Sequence, residues 1–148
     1  MAKEKNPINV KRGRSSKQKG ARGERELAAK FNELFGDQAY RGRQFHGGTD
    51  SPDIVTQIPG VHVECKRTEA LSIYTAMQQS IEDSKHKDGT SDIPVVCHKR
   101  NNKDWLFIAR LEDMPKLVET LNKFIQETKE NGCNTPAGDY CTRGCIGP

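Results

Sequence analysis

The stretch 51–66, SPDIVTQIPGVHVECK, restricts the fold of this 148-residue chain more than any other part of it. Asp53 opens a short apolar run, Pro59-Gly60 supplies a turn, and residues 61–66 alternate between apolar and polar as a second strand. The pattern predicts a β-hairpin that carries two carboxylates and a lysine.

The predicted hairpin gathers polar side chains on one face. Side chains of a strand alternate between faces, so His62, Glu64 and Lys66 point one way and Cys65 points the other. The short connection folds Asp53 back toward Glu64, and hard cations such as Mg²⁺ favour paired carboxylates. A lysine there can orient a water molecule or offset charge on a phosphate. The alternative is a surface hairpin on which Glu64 and Lys66 form an ordinary exposed ion pair.

A third carboxylate lies on a helix that the sequence predicts from Arg22 to a stop at Gly36. Its apolar residues recur at helical spacing: Leu27, Ala28, Phe31, Leu34 and Phe35. Glu24 projects near the direction of this stripe, whereas Glu26 points the opposite way. A carboxylate at the entrance of a core-facing stripe is costly unless a cation or metal pairs with it. Alternatively, Glu24 simply suits the first turn of a helix.

The positive charge is concentrated at the start of the chain. Residues 1–22 hold eight basic residues against Glu4, which gives 8 − 1 = +7, so the other 126 residues sum to 4 − 7 = −3. We expect residues 1–19 to form a disordered basic arm that binds a polyanion, most often nucleic acid. The alternative is a solvated tail that only aids solubility.

A short strand is expected over 38–45, followed by a glycine-rich loop over 46–51. Arg41 and Arg43 lie where they can contact phosphates near the predicted metal site. Asp50 competes with Asp53 as a ligand because only three residues separate them.

The remaining chain predicts a helix that begins after Ser72, two strands over 93–98 and 105–110, and a final amphipathic helix from Met114. The basic loop 99–104 is either a hairpin turn or a second phosphate contact, and we favour the turn. The final helix either covers the sheet or pairs with another subunit.

The cysteines do not form a disulfide framework. Cys65 and Cys97 fall in predicted strands and are expected to be buried. Cys133, Cys141 and Cys145 lie in a flexible tail over 131–148 and lack the fourth ligand of a structural zinc site.

Nothing in the composition points to a membrane. No stretch approaches the ~18 apolar residues that a membrane span needs. The basic start is not followed by an apolar segment, so we expect no signal peptide, a cytoplasmic location and no membrane partner.

Three segments together resemble the PD-(D/E)XK nucleases. They are KGARGEREL at 19–27, SPDIV at 51–55 and VECK at 63–66. Within that superfamily they look like the archaeal-type Holliday junction resolvases and their phage-encoded relatives, from about Lys19 to Asp113. The resemblance implies a mixed α/β fold with a restriction-endonuclease-like core, a central mixed β-sheet flanked by α-helices, over residues 20–130.

The resemblance also implies the residues of the site. The catalytic set is Glu24, Asp53, Glu64 and Lys66, supported by Gln79 more than by Gln78. The three carboxylates would hold Mg²⁺, for which Mn²⁺ substitutes. The expected DNA-binding residues are Lys17, Lys19, Arg22, Arg41, Arg43 and Arg67.

The implied function is a metal-dependent endonuclease that hydrolyses phosphodiester bonds in four-way DNA junctions, as a homodimer, in recombination or repair. Two alternatives stay open. The chain could be a related nuclease for DNA ends, flaps or duplex, or a DNA-binding protein that keeps the fold without catalysis.

Overall fold

The computed structural model describes residues 7–42 and 52–131. Its elements are α1 (Pro7–Phe35), β1 (Tyr40–Arg41), β2 (Ile54–Val55), β3 (Val61–Arg67), α2 (Ile73–Asp83), β4 (Ile93–Lys99), β5 (Leu106–Ala109) and α3 (Met114–Asn131). A single 3₁₀ turn, Leu111–Asp113, precedes α3. This order of helices and strands is the one that the sequence predicts. None of the helices in these ranges is long and apolar enough to cross a membrane.

The five strands form one mixed sheet in the order β1-β2-β3-β4-β5. β3 and β4 are parallel, and the other neighbours are antiparallel. α1 and α3 pack on one face of the sheet, where Leu27, Phe31 and Leu117 join Val63 and Val95 in the main core. α2 packs on the opposite face, with Ala76 and Met77 against Val96. The predicted fold, a mixed sheet flanked by helices, is confirmed.

A buried carboxylate holds the hairpin that carries the predicted site. Asp37 follows α1 and accepts hydrogen bonds from the backbone N–H groups of Gln38 at 2.7 Å and Gln57 at 3.0 Å, and from the Thr56 hydroxyl. Because these partners lie just after α1 and just after β2, Asp37 fixes the hairpin to the end of the helix. Buried acceptors of this kind are costly to leave unpaired.

The first helix begins earlier than expected. We predicted a start at Arg22, but α1 begins at Pro7, so residues 7–19 of the arm that we expected to be disordered are helical. Proline suits the first turn of a helix, and the lysines, arginines and glutamine that follow are good helix formers. The prediction relied on an apolar stripe, and residues 7–19 hold too few apolar residues to form one, namely Ile8 and Val10. The domain boundaries after residues 19 and 130 stay predictions.

One further expectation needs correction. The strand predicted over 38–45 is only Tyr40–Arg41 within the described residues, and Arg43 and Asp50 lie outside them. Leu34 of the apolar stripe on α1 is exposed, and so are Met114 and Val118 of α3. The apolar stripes of α1 and α3 are wider than the sheet surface that they cover. The loop 99–104 is a hairpin turn, as favoured, since it joins antiparallel β4 and β5.

Candidate active site

The hairpin places Asp53 beside β3. Ile54 of β2 pairs with Val63 of β3, so Asp53, one residue earlier, lies level with Glu64. One Asp53 carboxylate oxygen, Oδ2, accepts a hydrogen bond of 2.9 Å from the Cys65 backbone N–H. This bond fixes the first predicted carboxylate against the strand that carries the second.

Lys66 connects β3 to α2 through two hydrogen bonds. Its Nζ donates to Oε1 of Glu64 at 2.5 Å and to Oε1 of Gln79 at 2.9 Å. Gln78 instead donates to Glu82 on the exposed side of α2. Of the two candidate glutamines, Gln79 is the one that contacts the lysine, in agreement with the preference drawn from the resemblance.

Glu24 approaches the same place from α1. Its side chain is 17% exposed and forms an ion pair with the Arg41 guanidinium at β1. The Glu24 carboxylate lies near enough to Asp53 to raise the pKa of that residue. The structure therefore brings the helix glutamate and both hairpin carboxylates to one end of the sheet.

The electrostatics of Asp53 show an excess of negative charge. Its pKa is raised from 3.8 to about 6, first by burial and next by the neighbouring Glu64. The Cys65 N–H lowers the pKa, Glu24 raises it, and Lys66 lowers it. Burial is the largest cause, and among the neighbouring charges each carboxylate raises the pKa by more than Lys66 lowers it, so negative charge exceeds positive charge around Asp53.

A divalent cation fits this shortage of positive charge. The donors are three carboxylates, the oxygen ligands that Mg²⁺ and Mn²⁺ accept. Over residues 7–42 and 52–131, no group of three or more Asp, Glu, His or Cys side chains has the arrangement needed to bind a metal ion. Glu24 is turned to Arg41 and Glu64 to Lys66, so both would have to reorient toward an ion.

The predicted DNA-binding residues occupy different surroundings. Lys17 is exposed, Lys19 lies 3.4 Å from Glu69, and Arg22 is 73% exposed. Arg41 is engaged by Glu24 and Arg67 by Glu26, so carboxylates neutralise both guanidinium groups. Sequence spacing gave no signal for either pairing, because each joins segments far apart in the chain.

The raised pKa of Asp53 makes a testable prediction. Protonation stabilises the fold fully below the unfolded-state value of 3.8, and this contribution is lost as pH rises through about 6. Asp53→Asn mimics the protonated form, so it should raise the thermal midpoint at pH 7.5 without metal. We expect roughly 2–4 °C, from about 1 kcal/mol after screening by solvent. Differential scanning calorimetry should show this gain at pH 7.5 and its disappearance below pH 4. A midpoint unchanged at pH 7.5 would contradict the assigned environment.

Comparison with known proteins finds similarity to a family model and to solved structures. Residues 15–135 match a family model described as "Phage putative PDDEXK endonuclease". The solved structure of Hjc, a Holliday junction resolvase of Archaeoglobus fulgidus, is similar with 23% sequence identity and a TM-score of 0.44. That match covers 62% of this chain and 72% of Hjc. No curated protein sequence matches the chain significantly.

Proposed function

The chain belongs to the family of phage PDDEXK endonucleases, and we propose that it hydrolyses phosphodiester bonds in DNA with the help of Mg²⁺ or Mn²⁺. The observation that carries the proposal is the meeting of Asp53, Glu64 and Lys66 with Glu24 at one end of the sheet. These groups come from a helix and two strands, and their charges do not balance without a cation.

Each side chain has a role in this proposal. Asp53 and Glu64 would hold the ion, and Glu24 would join as a direct or water-mediated ligand after leaving Arg41. The bound ion would supply positive charge at the scissile phosphate and lower the pKa of a water molecule. Lys66, held by Glu64 and Gln79, would orient the attacking water or donate to a phosphate oxygen. In-line attack would leave a 5′-phosphate.

We propose four-way junctions as the preferred substrate, on the strength of the sequence segments at 19–27, 51–55 and 63–66. Such DNA lies in the cytoplasm of the host, where the enzyme would act in recombination or repair. Lys17, Lys19 and Arg22 on α1 would contact the DNA backbone, so affinity should fall steeply with salt.

A cleavage assay tests both the nuclease activity and the preference for four-way junctions. Purified protein is incubated with labelled four-way, flap and linear DNA in Mg²⁺, in Mn²⁺ and in EDTA. We expect metal-dependent products and the fastest cleavage of the junction. Faster cleavage of flaps or linear duplex would reject the substrate but keep the nuclease. Binding without cleavage in either metal would favour a DNA-binding protein that keeps this fold.

We propose that the enzyme is a homodimer, because an apolar surface surrounds β5. In the described sheet β5 lies at the edge, and its residues 106–109 carry no charge. Phe107 and Leu34 are exposed and share a cleft of about 200 Å³ with Leu121 of α3. An uncharged edge strand beside exposed apolar side chains favours pairing with another chain.

Phe107→Asp should convert the dimer to a monomer, because it places a charge in the apolar cleft. Sedimentation equilibrium of the wild type and the variant measures this change. Tyr74→Asp is the matched control, since Tyr74 is 91% exposed on α2 and lies outside the cleft. A wild-type monomer, or a Phe107→Asp dimer as stable as the wild type, would reject this interface.

A further inference from the structure

A second cluster of charges lies around Glu26, two residues beyond Glu24 on α1. Oε1 of Glu26 accepts a hydrogen bond of 3.2 Å from Nη1 of Arg67. The Glu26 carboxylate also lies 3.4 Å from the Arg22 guanidinium and 3.7 Å from the Lys99 ammonium. One carboxylate therefore faces three cations, two of which belong to the sheet.

The two cations of the sheet stand at the ends of adjacent strands. Arg67 and Lys99 are the last residues of β3 and β4, and they are partners in the parallel register. The Arg67 side chain is only 13% exposed. Within the described structure, its Nε and the second oxygen of Glu26 are buried without hydrogen-bond partners. One hydrogen bond and the attraction between charges therefore hold this cluster together, and the largely buried Arg67 guanidinium is paired with the Glu26 carboxylate.

The backbone of α1 also approaches the end of β3 very closely. A methyl group placed on Gly23 would lie 2.9 Å from Cβ of Arg67 and 3.0 Å from its Cδ, which is closer than carbon atoms tolerate. Gly23 and Glu26 thus contact the same arginine on either side of Glu24. The contact with Arg67 helps to fix the position of α1 on the sheet. It thereby helps to fix the backbone position from which the Glu24 side chain projects.

We propose that Glu26, acting through Arg67, is a positioning residue that holds Glu24 against the Asp53 and Glu64 carboxylates. The inference rests on the proposed function, because Glu24 is one of the proposed metal ligands. It also gives Arg67 a different task from the DNA contact that the sequence suggested. Glu26 itself touches neither the metal nor the DNA in this arrangement.

Manganese affinity without DNA is the direct readout. We expect Glu26→Ala to weaken Mn²⁺ binding in isothermal titration calorimetry by roughly 10- to 100-fold, the usual effect of removing a group that orients metal ligands. The kcat should fall while the KM for DNA stays near the wild-type value. Glu33→Ala is the matched control, because Glu33 is an exposed carboxylate of α1 that pairs with Lys30.

Two further variants keep the inference testable if Glu26→Ala does not fold. Glu26→Gln keeps an acceptor for Arg67 but removes the charge, so it should lose Mn²⁺ affinity to a smaller extent. Arg67→Ala should weaken Mn²⁺ binding about as much as Glu26→Ala, and the double variant should lose little more than either single one.

The other possible results distinguish a failure of the positioning role of Glu26 from a failure of the proposed nuclease function. Suppose that the wild-type protein binds Mn²⁺ and cuts DNA. Unchanged Mn²⁺ affinity in folded Glu26→Ala or Glu26→Gln would then overturn the positioning role of Glu26 but not the proposed function. A rise in KM for Arg67→Ala with unchanged Mn²⁺ affinity would also overturn it and would make Arg67 a DNA contact. Wild-type protein that neither binds Mn²⁺ nor cuts DNA would overturn the proposed function as well.

Discussion

Lys66→Ala should reduce the rate of DNA cleavage by about 10²- to 10⁴-fold, the range expected when a group that moves a proton or stabilises developing charge is lost. The Lys66 ammonium contacts Glu64 and Gln79, so its removal leaves Glu64 without its neighbouring cation. Junction affinity should stay mostly intact, because we propose that the basic side chains of α1 supply the contacts to the DNA backbone. Single-turnover cleavage and filter binding, measured on the same junction, separate the two effects.

Lys85→Ala is the matched control for this loss. Lys85 is a lysine of similar charge that pairs with Glu82 and is 55% exposed, away from Glu64. Its removal should leave the single-turnover rate unchanged. Cleavage that persists at the wild-type rate in Lys66→Ala would reject the catalytic assignment. A parallel loss of junction binding and cleavage would make Lys66 a binding residue.

Gly42→Ala should damage both stability and cleavage, because there is no room for a side chain at this position. The Gly42 N–H donates a 2.8 Å hydrogen bond to the Asp53 carbonyl, and a methyl group there would overlap the Pro52 carbonyl. We expect about 1–3 kcal/mol of lost stability from overpacking. Cleavage should fall about 100-fold, the effect of moving a catalytic group by about 1 Å. Urea unfolding and single-turnover cleavage measure the two losses.

Gly20→Ala is the control for a methyl group added to a glycine. Gly20 lies in α1, and its added methyl would come no closer than 3.9 Å to Glu24. Replacing a helical glycine by alanine should stabilise the protein by up to about 1 kcal/mol. A Gly42→Ala protein as stable and active as the wild type would show that the Pro52-Asp53 backbone is not fixed against Gly42.

The sequence predicted the proximity of Asp53, Glu64 and Lys66 because local spacing controls it. Glu64 and Lys66 alternate on one strand, and a short turn returns Asp53 to the same end of the sheet, so three of the groups lie within one hairpin. The position of Glu24 followed from the period of its helix. The order of the elements was predictable for the same reason, since each apolar run identified its own helix or strand.

The partners of the charged residues could not be predicted, because they depend on how distant segments pack. The parallel register of β3 and β4 places Arg67 beside Lys99, and only then does Glu26 face both. Helical periodicity pointed Glu26 away from the core, which suggested solvent. Long basic side chains from the strand ends reach it there. Arg41 was predicted to contact phosphate, yet the pairing of β1 with β2 places it against Glu24.

The central claim is that the Asp53 and Glu64 carboxylates jointly bind a divalent ion. A crystal soaked in Mn²⁺ and measured near the manganese absorption edge tests it most directly. We expect an anomalous peak between the two carboxylates, within about 2.0–2.3 Å of an oxygen from each, given the distances typical of small divalent ions. If the enzyme is active and depends on Mn²⁺ but the anomalous peak lies away from Asp53 and Glu64, the claim that these two carboxylates bind the ion is contradicted.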